Sequence, residues 1–198
     1  MNWSIVTCVG LSVGMGWNAQ AQPQAPDGSR LANVQEVPLS QVRIADSFWA
    51  PRRETNRTVS LPHSLGMLER SGNISNLELA AAGKREGYKG PLFMDSDLFK
   101  SMESVAYSLA TDPDPLLDAR LDAVIAKVAA AQRPDGYLNT WYQVHEPDKR
   151  FTNLRDNHEL YNLGHLIEGG VAYFLATGRR RLLGILERYV EHVAKRFG

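Results

Sequence analysis

Apolar residues recur three and four apart through 97–110, 116–132, 159–177 and 180–197. That period belongs to helices with one buried face, not to strands, which alternate. Leu98, Met102, Val105, Ala106 and Leu109 share one face of the first stretch. Leu117, Leu121, Val124, Ile125 and Val128 do so in the second, and Leu183, Leu186, Val190 and Val193 in the fourth. Asp112-Pro113-Asp114-Pro115 and Gly178 mark two tight junctions. Only 133–157 is a long connection. Amphipathic helices joined by short turns pack as consecutive αα-hairpins, so the chain is expected to be all-α.

Upstream, Asp46-Ser47 is a capping signal for a mostly helical 48–70. Pro51 fits a first turn, and Pro62 is expected to break or kink the helix. The Gly-punctuated 71–91 reads as a long ordered loop with a short helix at 77–82. Residues 37–44 alternate loosely and are expected to form a short N-terminal β segment. The Pro/Gly/Ser-containing 22–36 is expected to be a disordered leader.

Residues 1–21 read as a secretory signal: an apolar stretch ends in Ala19-Gln20-Ala21, with cleavage expected after Ala21. The expected location is secreted or periplasmic, with no membrane association after cleavage. Cys8 is the only cysteine and would leave with the signal, so disulfides and thiol chemistry are not expected in 22–198. The formal net charge is zero, which gives no basis for a nucleic-acid partner. Arg179-Arg180-Arg181 reads as a solvated helix end.

Three stretches carry candidate chemistry. In "DNHELYNLGHLIEGG" (156–170), His158 and His165 are seven residues apart. Their rings share a side of a helix but are separated by about 10 Å of rise. Two ligands of one zinc must each approach to about 2.1 Å, so a shared metal is not expected. A helical wheel puts Leu160, Leu163, Ile167, Val171 and Phe174 on one face. His158, Tyr161, Asn162, His165, Glu168, Gly169, Ala172 and Ala176 lie opposite. That second face is polar but weakly charged, which suits either a cavity wall for neutral hydroxyl groups or a helix with satisfied buried histidines. In "AQRPDGYLNTWYQ" (131–143), Tyr137, Trp141 and Tyr142 either stack on sugar rings or pack the loop. In "GPLFMDSDLFKSMES" (90–104), Asp95 or Ser96 is expected to cap a helix, with Asp97 beside them.

Four motifs, "SGNISNLELAAAG", "YKGPLFMDSDLFKSMESVAYSLATDPDP", "AQRPDGYLNTWY" and "NLRDNHELYNLGHLIEGGVAYFLATG", occur in order. Together they resemble the N-terminal part of the catalytic domain of glycoside hydrolase family 127, the β-L-arabinofuranosidase group, over 37–198. The resemblance implies a partial (α/α)6 barrel. It also implies retaining hydrolysis of terminal β-L-arabinofuranosides on plant-type glycans, with a zinc-bound cysteine thiolate as nucleophile and a glutamate as acid/base. Those residues lie farther along the family's chain than this sequence reaches. The 198-residue chain therefore reads as a truncated part, expected to be inactive alone, with no catalytic residue and no metal ligand of its own. Zinc is implied for the full-length family enzyme only.

What the resemblance carries onto this chain is contact with an oligosaccharide or polysaccharide substrate. His158 matches a pocket histidine, and His165, Asp97 and Tyr137 are further candidates. Glu159 is expected to be structural or orienting. Two other readings stay open: a non-catalytic carbohydrate-binding remnant, and another (α/α)6-barrel sugar enzyme of the unsaturated uronyl hydrolase or epimerase type. The latter should place an Arg or Lys opposite a substrate carboxylate, and the His158 face carries none.

Overall fold

The computed structural model describes Gln35 and residues 37–198. The expected signal peptide, Cys8 and all of the leader except Gln35 lie outside the described residues. The helices are α1 (Trp49–Thr55), α2 (Leu61–Ser71), α3 (Asn73–Ala82), α4 (Met94–Thr111), α5 (Pro115–Ala131), α6 (Thr140–Val144), α7 (Glu159–Thr177) and α8 (Arg181–Phe197).

Among the described residues there is no β-strand. The segment expected to form one instead makes a 3-10 turn, Leu39–Gln41, followed by extended backbone at Val42. Pro38 has no N–H to offer a ladder, and its carbonyl accepts from Gln41 N to close the turn. Pro62 does not break its helix either. A π-helical stretch, Asn56–Ser60, joins α1 to α2, and Leu61 N–H reaches back five residues to Asn56 O. This wider turn carries the chain past a residue with no N–H of its own.

The expected loop over 71–91 is half helix, since α3 begins at Asn73. Gly72, at φ 107°, makes the sharp turn from α2. Two buried asparagines then fix α3 by tertiary bonds. Asn73 Nδ2 donates to Met94 O at 2.7 Å, and Asn76 exchanges two hydrogen bonds with the Lys89 backbone.

α4 and α7 are the central pair. They run side by side in the same direction: Phe93 lies beside His158, Lys100 beside Tyr161, and Glu103 beside Gly169. The close approach needs a glycine, because a Cβ on Gly169 would stand 3.1 Å from Phe99 O. α5 and α8 return antiparallel to α4 and α7 as hairpin partners. Asp114 caps α5 through Leu116 N and Leu117 N, as the Asp-Pro turn implies.

Two buried faces differ from the wheel expectation. In α7 the buried stripe is Glu159, Asn162, Leu163, Leu166, Gly169, Gly170, Ala172 and Tyr173, whereas Leu160, Val171 and Leu175 are exposed. Small residues at 169 and 170 admit α4 and the Leu186 side chain of α8, so contact distance and not side-chain hydrophobicity decides which face goes in. In α8 the fully buried residues are Leu182, Ile185, Leu186 and Tyr189; of the expected stripe Leu186 is buried, Leu183 and Val193 pack partly buried against the core, and Val190 is exposed. The arginine run is also tied down: Arg179 pairs with Asp118 and, at 2.7 Å, with Asp122 of α5.

Candidate functional site

The sequence-predicted residues fall into two places. His158, His165 and Asp97 lie on accessible edges of α7 and α4, and Tyr137 does not join them.

His158 ends the connection before α7 and takes a left-handed conformation, φ 56°. Its Nδ1–H donates to Asp156 O at 2.8 Å. One turn on, Tyr161 stands edge-on to it, with ring centres 5.5 Å apart. His165 follows edge-on to Tyr161 at 4.5 Å. The Phe93 ring lies 5.4 Å from His158 on the other side. His165 Nδ1–H donates to Glu168 Oε2 at 2.8 Å. The result is a strip, Phe93–His158–Tyr161–His165, along the α7 edge that meets α4.

The hydrogen-bond bookkeeping of this strip is specific. In each neutral imidazole the Nδ1 proton is engaged, which makes Nε2 the acceptor. Lys100 Nζ donates to Tyr161 Oη at 2.7 Å and lies 4.9 Å from the ring centre. The phenol proton of Tyr161 is then the available donor. The strip therefore offers two acceptors, one donor and four aromatic rings, which suits a ligand rich in neutral hydroxyl groups.

Lys100 corrects the expectation that no cation reaches the His158 face. It comes from α4, three residues after Asp97, and only the helix packing brings it to Tyr161. Asp97 itself is exposed on the first turn of α4, and α4 begins without a side-chain cap. Asp95, expected as a possible cap, is instead buried, and accepts from Thr140 N and Thr140 Oγ1 at 2.7 and 2.6 Å. Burial pushes its carboxyl above the usual range, with the Thr140 bonds opposing.

Tyr137 corrects a second expectation. It is 0% exposed, so its ring packs the connection and cannot touch a ligand here. Its Oη–H donates to Glu159 Oε1 at 2.5 Å, and the Arg150 guanidinium lies 4.3 Å from its ring centre. Glu159 Oε2 accepts from Phe151 N at 2.6 Å. Burial raises the Glu159 carboxyl above the usual range, and the bonds from Tyr137 and Phe151 oppose the shift.

Among the described residues no three His, Cys, Asp or Glu side chains converge as a metal site. No described helix is long and apolar enough to cross a membrane.

The family model for the GH127 β-L-arabinofuranosidase catalytic domain matches residues 41–198. The non-reducing end β-L-arabinofuranosidase of Bifidobacterium longum subsp. longum is 33% identical over 180 residues, covering 79% of this chain and 27% of that protein. The crystal structure of a GH127 β-L-arabinofuranosidase from Geobacillus stearothermophilus superposes with a TM-score of 0.76 at 44% identity, covering 79% of this chain and 26% of that one. A second solved GH127 β-arabinofuranosidase gives a TM-score of 0.75 at 36% identity, covering 80% of this chain and 26% of that one. The chain thus spans about a quarter of the length of the relatives it matches, and its helical hairpins fit their (α/α)-barrel-type fold.

Proposed function

The chain belongs to the GH127 β-L-arabinofuranosidase catalytic-domain family, and on that premise we propose that it forms part of the sugar-binding wall of a secreted or periplasmic glycosidase. The substrate class is a terminal β-L-arabinofuranoside on a plant-type glycan. The observation that carries this reading is the strip on α7: His158 Nε2, His165 Nε2 and the Tyr161 hydroxyl form a row of neutral acceptors and a donor beside an aromatic ring.

His158 takes the central contact and His165 the flanking one. Asp97 lies on the first turn of α4, where an exposed carboxylate can accept from a sugar hydroxyl. Tyr137 acts from beneath, through Glu159. Bond cleavage belongs to the complete catalytic domain, by the retaining route of the family, and no chemical step is assigned to these residues.

Hydrolysis of a β-L-arabinofuranoside tests the reading. The 198-residue chain alone should give no turnover. A complete domain containing it should turn over, and His158→Ala in that domain should lower kcat/KM by at least tenfold. Unchanged kcat/KM in His158→Ala would remove the strip from the substrate site.

Lys100 favours one variant of this reading. A cation beside Tyr161 suits a glycan that carries a carboxylate next to the arabinose. Comparing neutral and uronate-bearing oligosaccharides decides it: preference for the acidic ligand, lost in Lys100→Gln, supports this variant, and equal affinity removes it.

A further inference from the structure

Glu159 is buried at the base of the strip and makes no contact with its exposed edge. Both of its oxygens are engaged: Oε1 accepts from the Tyr137 hydroxyl and Oε2 from the Phe151 N–H. Among the described residues, two that are not glycine hold a left-handed backbone, Phe151 at φ 59° and His158 at φ 56°. One donates its N–H to Glu159, and the other is the residue immediately before it. L-residues with large side chains rarely adopt this conformation unless surrounding bonds over-determine it. One of the two thus bonds the Glu159 carboxylate directly, and the other adjoins Glu159 at the start of α7.

We propose that Glu159 is a positioning residue: it clamps 151–158 against the Tyr137 loop and thereby sets the direction of the His158 ring. The anchor is rigid for four reasons. Tyr137 is itself fixed, packed edge-on against Phe151 and Tyr189, with ring centres 5.4 Å away in each case. The Asp135-Gly136 turn that delivers it is closed by Gly136 N–H to Arg133 O and by Asp135 Oδ1 accepting from Tyr137 N. Arg150 covers the ring from above and pairs with Asp135 at 3.1 Å. Glu159 is also the first residue of α7, so its backbone cannot turn without moving the helix. The direction of His158 is thus set from the Tyr137 loop, across 21 residues of sequence.

This inference rests on the proposed sugar contact of His158 for its functional meaning, but its test does not need sugar. The ring resonances of His158, identified by their loss in His158→Asn, are recorded by NMR in the protein and in Glu159→Gln. Exchange of the Phe151 amide proton is measured alongside. Gln offers one acceptor oxygen where Glu offers two. The expected result is a displaced or broadened His158 signal and at least tenfold faster Phe151 exchange, with the His165 signal unmoved. An unmoved His158 signal in a folded Glu159→Gln protein would overturn the proposal and leave Glu159 as packing. If Glu159→Gln fails to fold, Tyr137→Phe carries the test. It keeps the ring and deletes one bond, and it must displace His158; an unmoved signal there overturns the proposal equally. Sugar added to the unsubstituted protein tests the contact separately, since a silent His158 then counts against the proposed function and not against the clamp.

Discussion

Asp95 of α4 accepts both the backbone N–H and the hydroxyl of Thr140, at 2.7 and 2.6 Å, from inside the core. Thr140 in turn meets the Tyr88 hydroxyl at 3.1 Å. One carboxylate thus joins the start of α6 and the 84–93 connection to the central helix. Asp95→Ala should destabilise the fold by about 2–4 kcal/mol, because it leaves two buried donors short of partners. Asp95→Asn should cost less, since it keeps one acceptor. Denaturant midpoints check both; equal stability of all three proteins would remove the joint.

The two buried carboxyls set a pH dependence. Burial raises Asp95 and Glu159 in the folded state, while the unfolded values sit near 4. The folded state therefore holds protons that the unfolded state has released. Stability from these groups is full below about pH 4 and is lost as pH rises through their raised folded values. The exposed carboxyls of Asp46, held down by the Trp49 N–H, and Asp156, held down by Arg155, act in the opposite sense. The informative comparison is therefore with the Asp95→Asn/Glu159→Gln double variant, whose thermal midpoint should fall less between pH 4 and 7. An identical slope would contradict the assignment.

Gly136 sits at φ 90°, and a Cβ there would run into Arg188 O of α8. Gly136→Ala should cost about 2–4 kcal/mol, from strain and from displacement of α8. Gly184 is the counterpart. It lies inside α8 with open space around it, so Gly184→Ala should stabilise by about 0.5–1 kcal/mol. Calorimetric melting of the pair separates backbone constraint from ordinary helix propensity.

Much of the fold was legible in the sequence, and the parts that were not share a cause. Helix existence at α4, α5, α7 and α8 followed from spacing alone. The buried face of α7 did not, because Gly169 and Gly170 are inward only once α4 and Leu186 come close. Tyr137 read equally as a sugar-stacking ring or as packing for its loop. Its burial depends on a carboxylate 22 residues later, and nothing local announces that bond. Lys100 joins the strip because α4 and α7 run in parallel, a relation between helices that no single wheel contains. The expected helix at 77–82 is the second half of α3; its first turn was hidden by Asn73 and Asn76, which look like loop residues until Met94 and Lys89 supply their partners.

Within the strip the histidines should separate from their neighbours. Each neutral ring offers one acceptor, worth about 1 kcal/mol, so His158→Ala or His165→Ala should weaken sugar binding by roughly fivefold to tenfold. Leu160→Ala, at an exposed position two residues after His158, should leave it unchanged. Calorimetric titration with a neutral arabinofuranoside checks the three together. An equal loss in Leu160→Ala would point to a general disturbance of α7.

The most direct measurement is an NMR titration of the protein with methyl β-L-arabinofuranoside, following the imidazole signals of His145, His158, His165 and His192. Saturable shifts are expected at His158 and His165. His145, which packs against Tyr88 and Trp141, and His192, which packs against Tyr137 and Phe151, should stay unmoved. Shifts at His145 or His192 with His158 silent would contradict the proposed contact and place the sugar elsewhere.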